Sequence, residues 1–258
     1  MEHRLLEGKR GVVLGVANHR SIAWGIAQAA SQAGARLAFT YQGERFRERV
    51  AELARTLPGD PPLYPCDVAS DAEVERLGDR LRDEFAPIDF LVHSLAFADR
   101  SDLEGRFVDT SRKGYHLAQD VSSYSLTALA RIAAPLMERG GSIVTLTYLG
   151  SERAVQNYNV MGVAKAALEA SVRYLAADLG PQAIRVNAVS AGPINTLAAR
   201  GISKFHELLE HMADKAPLRR NVSTEEVAWT AVFLLSDLSA GITGEVIHVD
   251  CGYHIAGP

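Results

Sequence analysis

The sequence has few cysteines and lacks long apolar runs. Its two cysteines, Cys66 and Cys251, have no CxxC spacing, so we expect free thiols in a reducing compartment rather than a disulfide framework or a cysteine-ligated metal. No stretch approaches the roughly 18 consecutive apolar residues of a membrane span. The apolar run at 12–17 is short and flanked by charged residues, unlike the core of a signal peptide. We therefore expect a soluble, cytoplasmic protein.

A large excess of charge of one sign is absent as well. The formal net charge is −4 over 258 residues, and there is no block of basic residues. Nucleic acid and anionic membranes are therefore not expected as the main partners. The eight histidines show no metal-ligand spacing, and His93 lies in an apolar run where a hydrogen-bonded core histidine is expected. The sequence predicts no metal site.

Short apolar runs alternate with longer helical segments along the chain. The runs are rich in Val, Ile and Leu with little polar alternation, which is typical of parallel strands covered on both faces. They predict strands at 11–16, 35–41, 61–67, 88–94, 142–148, 184–190 and 245–250. Since no linker interrupts the alternation, residues 1–258 are predicted to form one α/β domain. The expected fold is Rossmann-like, a doubly wound seven-stranded parallel sheet with helices on both faces. A TIM barrel, which needs eight such units, is the competing fold.

The turn after the first predicted strand has the sequence GVANHRSIAWG, from Gly15 to Gly25. A glycine that closes a strand just before a helix is where this fold binds the pyrophosphate of a dinucleotide. The usual spacing to a third glycine is absent, so the alternative of a simple tight connection stays open.

The residues after the second predicted strand bear on the choice of cofactor. Gln42 can hydrogen-bond a ribose hydroxyl, and Glu44 would disfavour a 2′-phosphate. The pattern favours NADH, although Arg45 leaves the preference open. Asp67, at the end of the third predicted strand, could accept a hydrogen bond from the adenine amino group or could cap the next helix.

Two tyrosines and a lysine follow the fifth predicted strand, in the stretch YLGSERAVQNYNVMGVAK. A helix is predicted from about Asn157 or Tyr158, and residues seven apart lie within about 20° of each other on a helix. Tyr158 and Lys165 could therefore reach one ligand, and the lysine would then lower the pKa of the phenol. The alternative is a packing tyrosine and a lysine that extends to solvent.

These motifs together resemble the short-chain dehydrogenase/reductase superfamily over essentially the whole chain. Ordinary members separate the catalytic tyrosine and lysine by four positions, but here Gly162 lies four after Tyr158 and Met161 lies four before Lys165. Instead, nine residues separate Tyr148 from Tyr158, and six separate Tyr158 from Lys165. This spacing is similar to that of the bacterial NADH-dependent enoyl-acyl-carrier-protein reductases. The segments GVANHRSIAWGIA, HSLAFA and AGPINTLAARGI support this resemblance.

The resemblance implies reduction of the trans-2 double bond of enoyl thioesters on acyl-carrier protein, the last reductive step of fatty-acid elongation, in a homotetramer. It makes Tyr158, Lys165 and Tyr148 the catalytic residues. It implies an NADH site formed by Gly15, Ala17, Ser21, Ile22, Gln42, Asp67, Val68, Ser94, Leu95, Ala96, Lys165, Pro193, Ile194 and Thr196. The substrate would contact Ala96, Leu103, Tyr148, Tyr158, Met161, Ala198, Ile202 and Phe205. Members of this family often have glycine at position 96.

Apolar residues recur at helical spacing after the AGPINTL segment, at Ile202, Phe205, Leu208 and Met212. The resemblance implies a substrate-binding lid at about 195–215, whereas the periodicity alone is typical of an amphipathic helix on the core.

Two other functions compete with enoyl reduction. An ordinary ketone or alcohol dehydrogenase is disfavoured by Met161 and Gly162, which occupy the positions of its catalytic partners. A dinucleotide-binding regulator without catalysis is disfavoured because Tyr158 and Lys165 are both present.

Overall fold

A parallel sheet runs through the centre of the molecule. The computed structural model describes residues 4–196 and 205–256. Within these ranges seven strands form one sheet: β1 (Arg10–Leu14), β2 (Arg36–Tyr41), β3 (Leu63–Pro65), β4 (Phe90–His93), β5 (Gly141–Thr147), β6 (Ile184–Ala191) and β7 (Val246–Val249). Their spatial order is β3-β2-β1-β4-β5-β6-β7, and every neighbouring pair is parallel.

Helices cover both faces of this sheet. In the described part of the chain the α-helices are α1 (Ile22–Gln32), α2 (Glu44–Ala54), α3 (Asp71–Glu84), α4 (Arg100–Leu103), α5 (Arg112–Gln119), α6 (Ser125–Ala133), α7 (Asn159–Leu179), α8 (Phe205–Lys215) and α9 (Thr224–Leu235). Buried side chains of α1, α2 and α9 join one core cluster, and those of α3, α6 and α7 join a second. Strand β1 contributes Val13 to the first cluster and Val12 and Leu14 to the second, because successive side chains point to opposite faces.

The architecture confirms the predicted fold. The sheet is open, with β3 and β7 at its edges, so the TIM barrel is excluded. All seven predicted strands are present, and the differences lie at their ends. Strand β1 ends at Leu14 rather than at residue 16, because Gly15 has a φ of +98°. Strand β3 spans three residues and carries Pro65 at the sheet edge, where a missing N–H is tolerated.

Strand order reverses between β1 and β4, which are neighbours although two strands separate them along the chain. In open parallel sheets, ligands bind at the carboxyl ends of the strands beside such a reversal. The fold therefore places a binding crevice where β1 and β4 end.

Helix α7 begins at Asn159, with Tyr158 as its N-cap residue, slightly later than the sequence predicts. Asn157 has a φ of +61°, outside the helical range, which delays the start. In the described ranges no helix is both long enough and apolar enough to cross a membrane.

Gly11 tests how tightly the first strand packs. A Cβ added at Gly11 would overlap the Phe90 ring on the neighbouring strand, whereas one added at Gly180 meets nothing within 4 Å. We expect Gly11→Ala to lower the free energy of unfolding by about 1–3 kcal/mol, the usual cost of overpacking a core. Urea denaturation would measure this change. Gly180→Ala is the matched control and should be nearly neutral; equal losses in both variants would contradict the packing argument.

Candidate active site

The loop between β1 and α1 is shaped for close approach of another group. A side chain at Gly15 would overlap the Ser94 carbonyl oxygen at the end of β4, so only glycine fits there. The Ser21 hydroxyl accepts hydrogen bonds of 3.1 Å from the backbone N–H groups of Ala17 and Asn18. Ile22 then starts helix α1, whose positive end lies at this loop. A narrow glycine turn at a helix N-terminus suits the pyrophosphate of a dinucleotide.

Polar side chains meet at the ends of β2 and β3. Gln42 Nε2 donates a 3.1 Å hydrogen bond to Asp67 Oδ2. Asp67 Oδ1 accepts from the Ala69 N–H, and the N-cap of α3 is Ser70, so the alternative of Asp67 as the cap of that helix is wrong. The Arg45 guanidinium lies 4.7 Å from the centre of the Phe46 ring.

The two tyrosines of the predicted catalytic set lie in contact. Strand β5 ends at Thr147, Tyr148 follows it, and Tyr158 caps helix α7. The ring centroids of Tyr148 and Tyr158 are 5.0 Å apart, with an angle of 73° between the ring planes. The Tyr158 ring also packs against an apolar cluster that includes Leu103 and Met161, two of the predicted substrate residues.

Lys165 is buried, which excludes the alternative of a lysine that extends to solvent. The residue is only 5% exposed, and its Nζ donates a 2.7 Å hydrogen bond to the Leu146 carbonyl oxygen. The structure therefore brings Lys165 to the same strand end as Tyr148.

Two glycines explain the unusual tyrosine–lysine spacing. A Cβ at Gly162 would lie 2.6 Å from the Gly150 carbonyl oxygen, and a Cβ at Gly150 would lie 2.5 Å from Tyr158 Cδ1. A lysine four residues after Tyr158 has no room here. The sequence analysis missed Gly150, although the signal was a glycine two residues after Tyr148.

The predicted cofactor residues lie at the carboxyl ends of the strands. Ser94, Leu95 and Ala96 follow β4, and Val68 follows β3. Pro193, Ile194 and Thr196 follow β6, and the Gly192 N–H donates to the Val249 carbonyl oxygen at 2.9 Å.

A family model described as Enoyl-(Acyl carrier protein) reductase matches residues 15–254 of this chain. The chain belongs to this family.

This chain is similar to enoyl-acyl-carrier-protein reductases over nearly its full length and theirs. The chain is 59% identical over 254 residues to the enoyl-acyl-carrier-protein reductase (NADH) FabI of Bacillus cereus, covering 98% of this chain and 99% of that protein. A Bacillus subtilis protein of the same description is 56% identical over 251 residues, with 97% of each chain covered. A Staphylococcus aureus relative named as the NADPH enzyme is 56% identical over 250 residues, covering 96% of this chain and 98% of that protein.

Solved structures show the same fold. A Bacillus cereus enoyl-acyl-carrier-protein reductase with NADP+ and indole naphthyridinone superposes with a TM-score of 0.97 at 58% identity, covering 98% of this chain and 99% of that one. The Aquifex aeolicus enoyl-acyl-carrier-protein reductase (NADH) superposes with a TM-score of 0.95 at 50% identity, covering 98% and 99%.

Some of the residues predicted to form the lid and to contact the substrate are not among those that the structure describes. Ala198 and Ile202 lie outside the described residues. Phe205 is half-buried on α8, which lies within the predicted segment 195–215, and Met212 on the same helix is buried. Whether that helix acts as a lid stays a prediction.

Burial sets the protonation of the enoyl reductase tyrosines. The pKa of Tyr158 is raised by burial first, then by Tyr148 and Glu169, so the expected lowering by Lys165 is wrong for this structure. Burial also raises the pKa of Tyr148 to about 12. Both phenols are therefore protonated at neutral pH and can donate hydrogen bonds.

Burial has the opposite effect on the basic groups. It lowers the pKa of Lys165 from 10.5 to about 8, and Glu169 partly offsets this. His93 is fully buried between Thr145 Oγ1 at 2.7 Å and Ser125 Oγ at 2.8 Å, and its pKa falls to about 3, which confirms a neutral core histidine. In the part of the chain that the structure describes, no group of His, Cys, Asp and Glu side chains could hold a metal ion.

The sequence analysis also missed Glu169. This residue is buried, and its Oε1 accepts a 2.6 Å hydrogen bond from Thr147 Oγ1. Its position one helical turn after Lys165 was the available signal.

The low pKa of Lys165 predicts a pH-dependent stability. Between pH 8 and 10.5 the unfolded chain retains a proton that the folded chain has lost, so the folded protein gains stability as pH rises through this window. Lys165→Met has no such titration, so the free energy of unfolding of the wild type minus that of the variant should rise by about 3 kcal/mol across the window. Urea denaturation at intervals of pH measures this difference.

Exposed Lys113→Met controls for the loss of a lysine elsewhere. A wild-type–Lys165→Met difference that stays flat with pH would mean that Lys165 is not desolvated in solution.

Proposed function

We infer that this protein reduces the trans-2 double bond of enoyl thioesters carried by acyl-carrier protein, using NADH, in the last reductive step of fatty-acid elongation. One observation carries this inference. Folding brings Tyr148, Tyr158 and Lys165 to the end of β5, in a chain that matches enoyl reductases over nearly its whole length.

The residues of the crevice fit a nicotinamide dinucleotide. Gly15 leaves room for the pyrophosphate at the start of α1, with Ala17, Ser21 and Ile22 beside it. The carboxylate of Asp67, hydrogen-bonded to Gln42, would repel a ribose 2′-phosphate, which supports NADH. The Bacillus relatives carry NADH in their names, whereas the Staphylococcus aureus relative carries NADPH.

The other residues that we assign to the cofactor lie after the carboxyl ends of the strands, except Lys165 on α7. We assign the adenine to Asp67 and Val68, and the nicotinamide carboxamide to Pro193 and Ile194. Thr196 would reach the phosphates, and Ser94, Leu95 and Ala96 would line the cofactor. Lys165 would donate to the nicotinamide ribose hydroxyls. When bound, NADH supplies the hydride that adds to the β-carbon of the enoyl thioester.

Tyr158 is the proposed proton-bearing group at the reacting end of the substrate. Hydride addition at the β-carbon develops negative charge on the thioester oxygen, and a fixed donor at that oxygen lowers the barrier. Because its pKa is raised, Tyr158 holds its proton at neutral pH and can donate a hydrogen bond there. Tyr148, in edge contact with Tyr158, would relay a proton or gate the acyl chain.

The acyl chain needs an apolar slot, and the packing of apolar residues around Tyr158 supports one here. Leu103 and Met161 pack with Tyr158, and Phe205 starts the helix of the proposed lid. We assign Ala96, Ala198 and Ile202 to the same substrate site.

Acyl-carrier protein is the proposed macromolecular partner, and a cytoplasmic homotetramer is the proposed state. The apolar C-terminal stretch CGYHIAGP suits a subunit interface, and Ile255 within it is 72% exposed. Cys66 and Cys251 are free thiols, in keeping with a reducing compartment.

The reaction is tested by following NADH and, in parallel, NADPH with a trans-2-enoyl thioester and with a 3-ketoacyl thioester. We expect oxidation of NADH with the enoyl compound and none with the ketoacyl compound. Turnover of the ketoacyl compound alone would indicate an ordinary dehydrogenase. Binding of NADH without turnover of either compound would indicate a regulator.

The donor assignment is tested with tyrosine variants. Tyr158→Phe removes the hydroxyl and keeps the ring, so we expect kcat for a crotonyl thioester to fall about 100-fold or more, as for the loss of one oxyanion donor. Steady-state kinetics at fixed NADH measures the change. Tyr174→Phe, on the exposed side of α7, is the matched control and should leave kcat unchanged. Unaltered turnover by Tyr158→Phe would show that another group is the donor.

A further inference from the structure

A buried carboxylate lies beside the reacting residues. Glu169 follows Lys165 by four positions on α7, so the two side chains lie on the same face of the helix, one turn apart. Residue Glu169 is only 8% exposed. Removing a carboxylate from water costs several kcal/mol, so its charge needs compensation from nearby groups.

The carboxylate is held by the strand that carries Tyr148. Thr147 Oγ1 donates a 2.6 Å hydrogen bond to Glu169 Oε1. The preceding residue, Leu146, accepts the hydrogen bond from Lys165 Nζ at 2.7 Å. Consecutive residues of β5 therefore anchor both side chains of α7.

Three other titratable side chains of the site, from β4, the end of β5 and the start of α7, are neutral at pH 7. From β4, buried His93 has a pKa of about 3. From the end of β5, Tyr148 has a pKa of about 12, and from the start of α7, Tyr158 has a raised pKa as well. Among these described groups, Glu169 supplies the negative charge that acts on Lys165, and it raises the lysine pKa against the effect of burial.

The hydrogen bond to Thr147 does not by itself require a carboxylate. A glutamine oxygen would accept from the same hydroxyl with the same geometry. The effect of the charge therefore falls on buried Lys165, one turn before Glu169, because Arg173, one turn after it, is exposed to solvent.

We propose that Glu169 is a positioning residue of the reductase site, whose carboxylate keeps the Lys165 ammonium in its charged, cofactor-binding form. This role rests on the proposed function, because it gives Lys165 the task of binding the ribose of NADH. Glu169 itself acts through Lys165 and does not contact the reacting atoms.

The pH dependence of kcat/KM for NADH separates the charge of Glu169 from its hydrogen bond. This quantity reports groups of the free enzyme, and its alkaline limb should follow the loss of the Lys165 proton. Glu169→Gln keeps an acceptor for Thr147 and removes the charge, so the limb should move to lower pH by about one unit. Thr147→Val keeps the charge and removes the hydrogen bond, so the limb should stay closer to that of the wild type than to that of Glu169→Gln.

Glu169→Asp provides a second test that does not depend on the folding of Glu169→Gln. It keeps the negative charge, so its alkaline limb should remain near the wild-type position even if the shorter side chain lowers kcat. A displacement by a full unit in Glu169→Asp would overturn the proposal, as would an unmoved limb in an active Glu169→Gln enzyme. An equal shift in Thr147→Val would do the same. Absence of enoyl reduction by the wild type would instead count against the proposed function.

Discussion

Close contact between helix α7 and the end of strand β5 is the constraint on which the site depends. The Gly162 position comes so near the Gly150 carbonyl oxygen that a Cβ would lie 2.6 Å from it, and Lys165 closes the same contact with its 2.7 Å hydrogen bond to Leu146. Because the helix lies this close, Tyr158 reaches the edge of the Tyr148 ring and a lysine one turn after Tyr158 has no room. Backbone packing thus determines which residues can form the reacting set.

The electrostatics of the site follow from the same packing. Exclusion of water raises the pKa of Tyr158 and lowers that of Lys165, so the phenol keeps its proton at neutral pH and the ammonium gives up its proton more readily than that of an exposed lysine. His93 is neutral because burial, and after it the charge of Lys165, lowers its pKa. Glu169 opposes this trend at Lys165. Burial and a single carboxylate thus leave a proton on the tyrosine and a charge on the lysine at neutral pH.

Most of the architecture could be predicted from local pattern, because a parallel sheet covered on both faces requires apolar strands separated by helices. The errors lie where backbone conformation or distant contacts intervene. The positive φ of Gly15 ended β1 early, and that of Asn157 delayed α7. Asp67 bonds to Gln42, a residue from another strand end, rather than capping the helix that follows it.

The sequence by itself determined the doubly wound sheet, the glycine turn after β1 and the spacing of Tyr148, Tyr158 and Lys165, because these depend on residue type and order along the chain. The tertiary structure alone decided the protonation of Tyr158 and Lys165, since a pKa depends on burial and on charges brought together by folding. It also decided the pairing of Glu169 with Thr147, which lie 22 residues apart. Such pairs become neighbours only when a strand and a helix pack, and no local pattern records that distance.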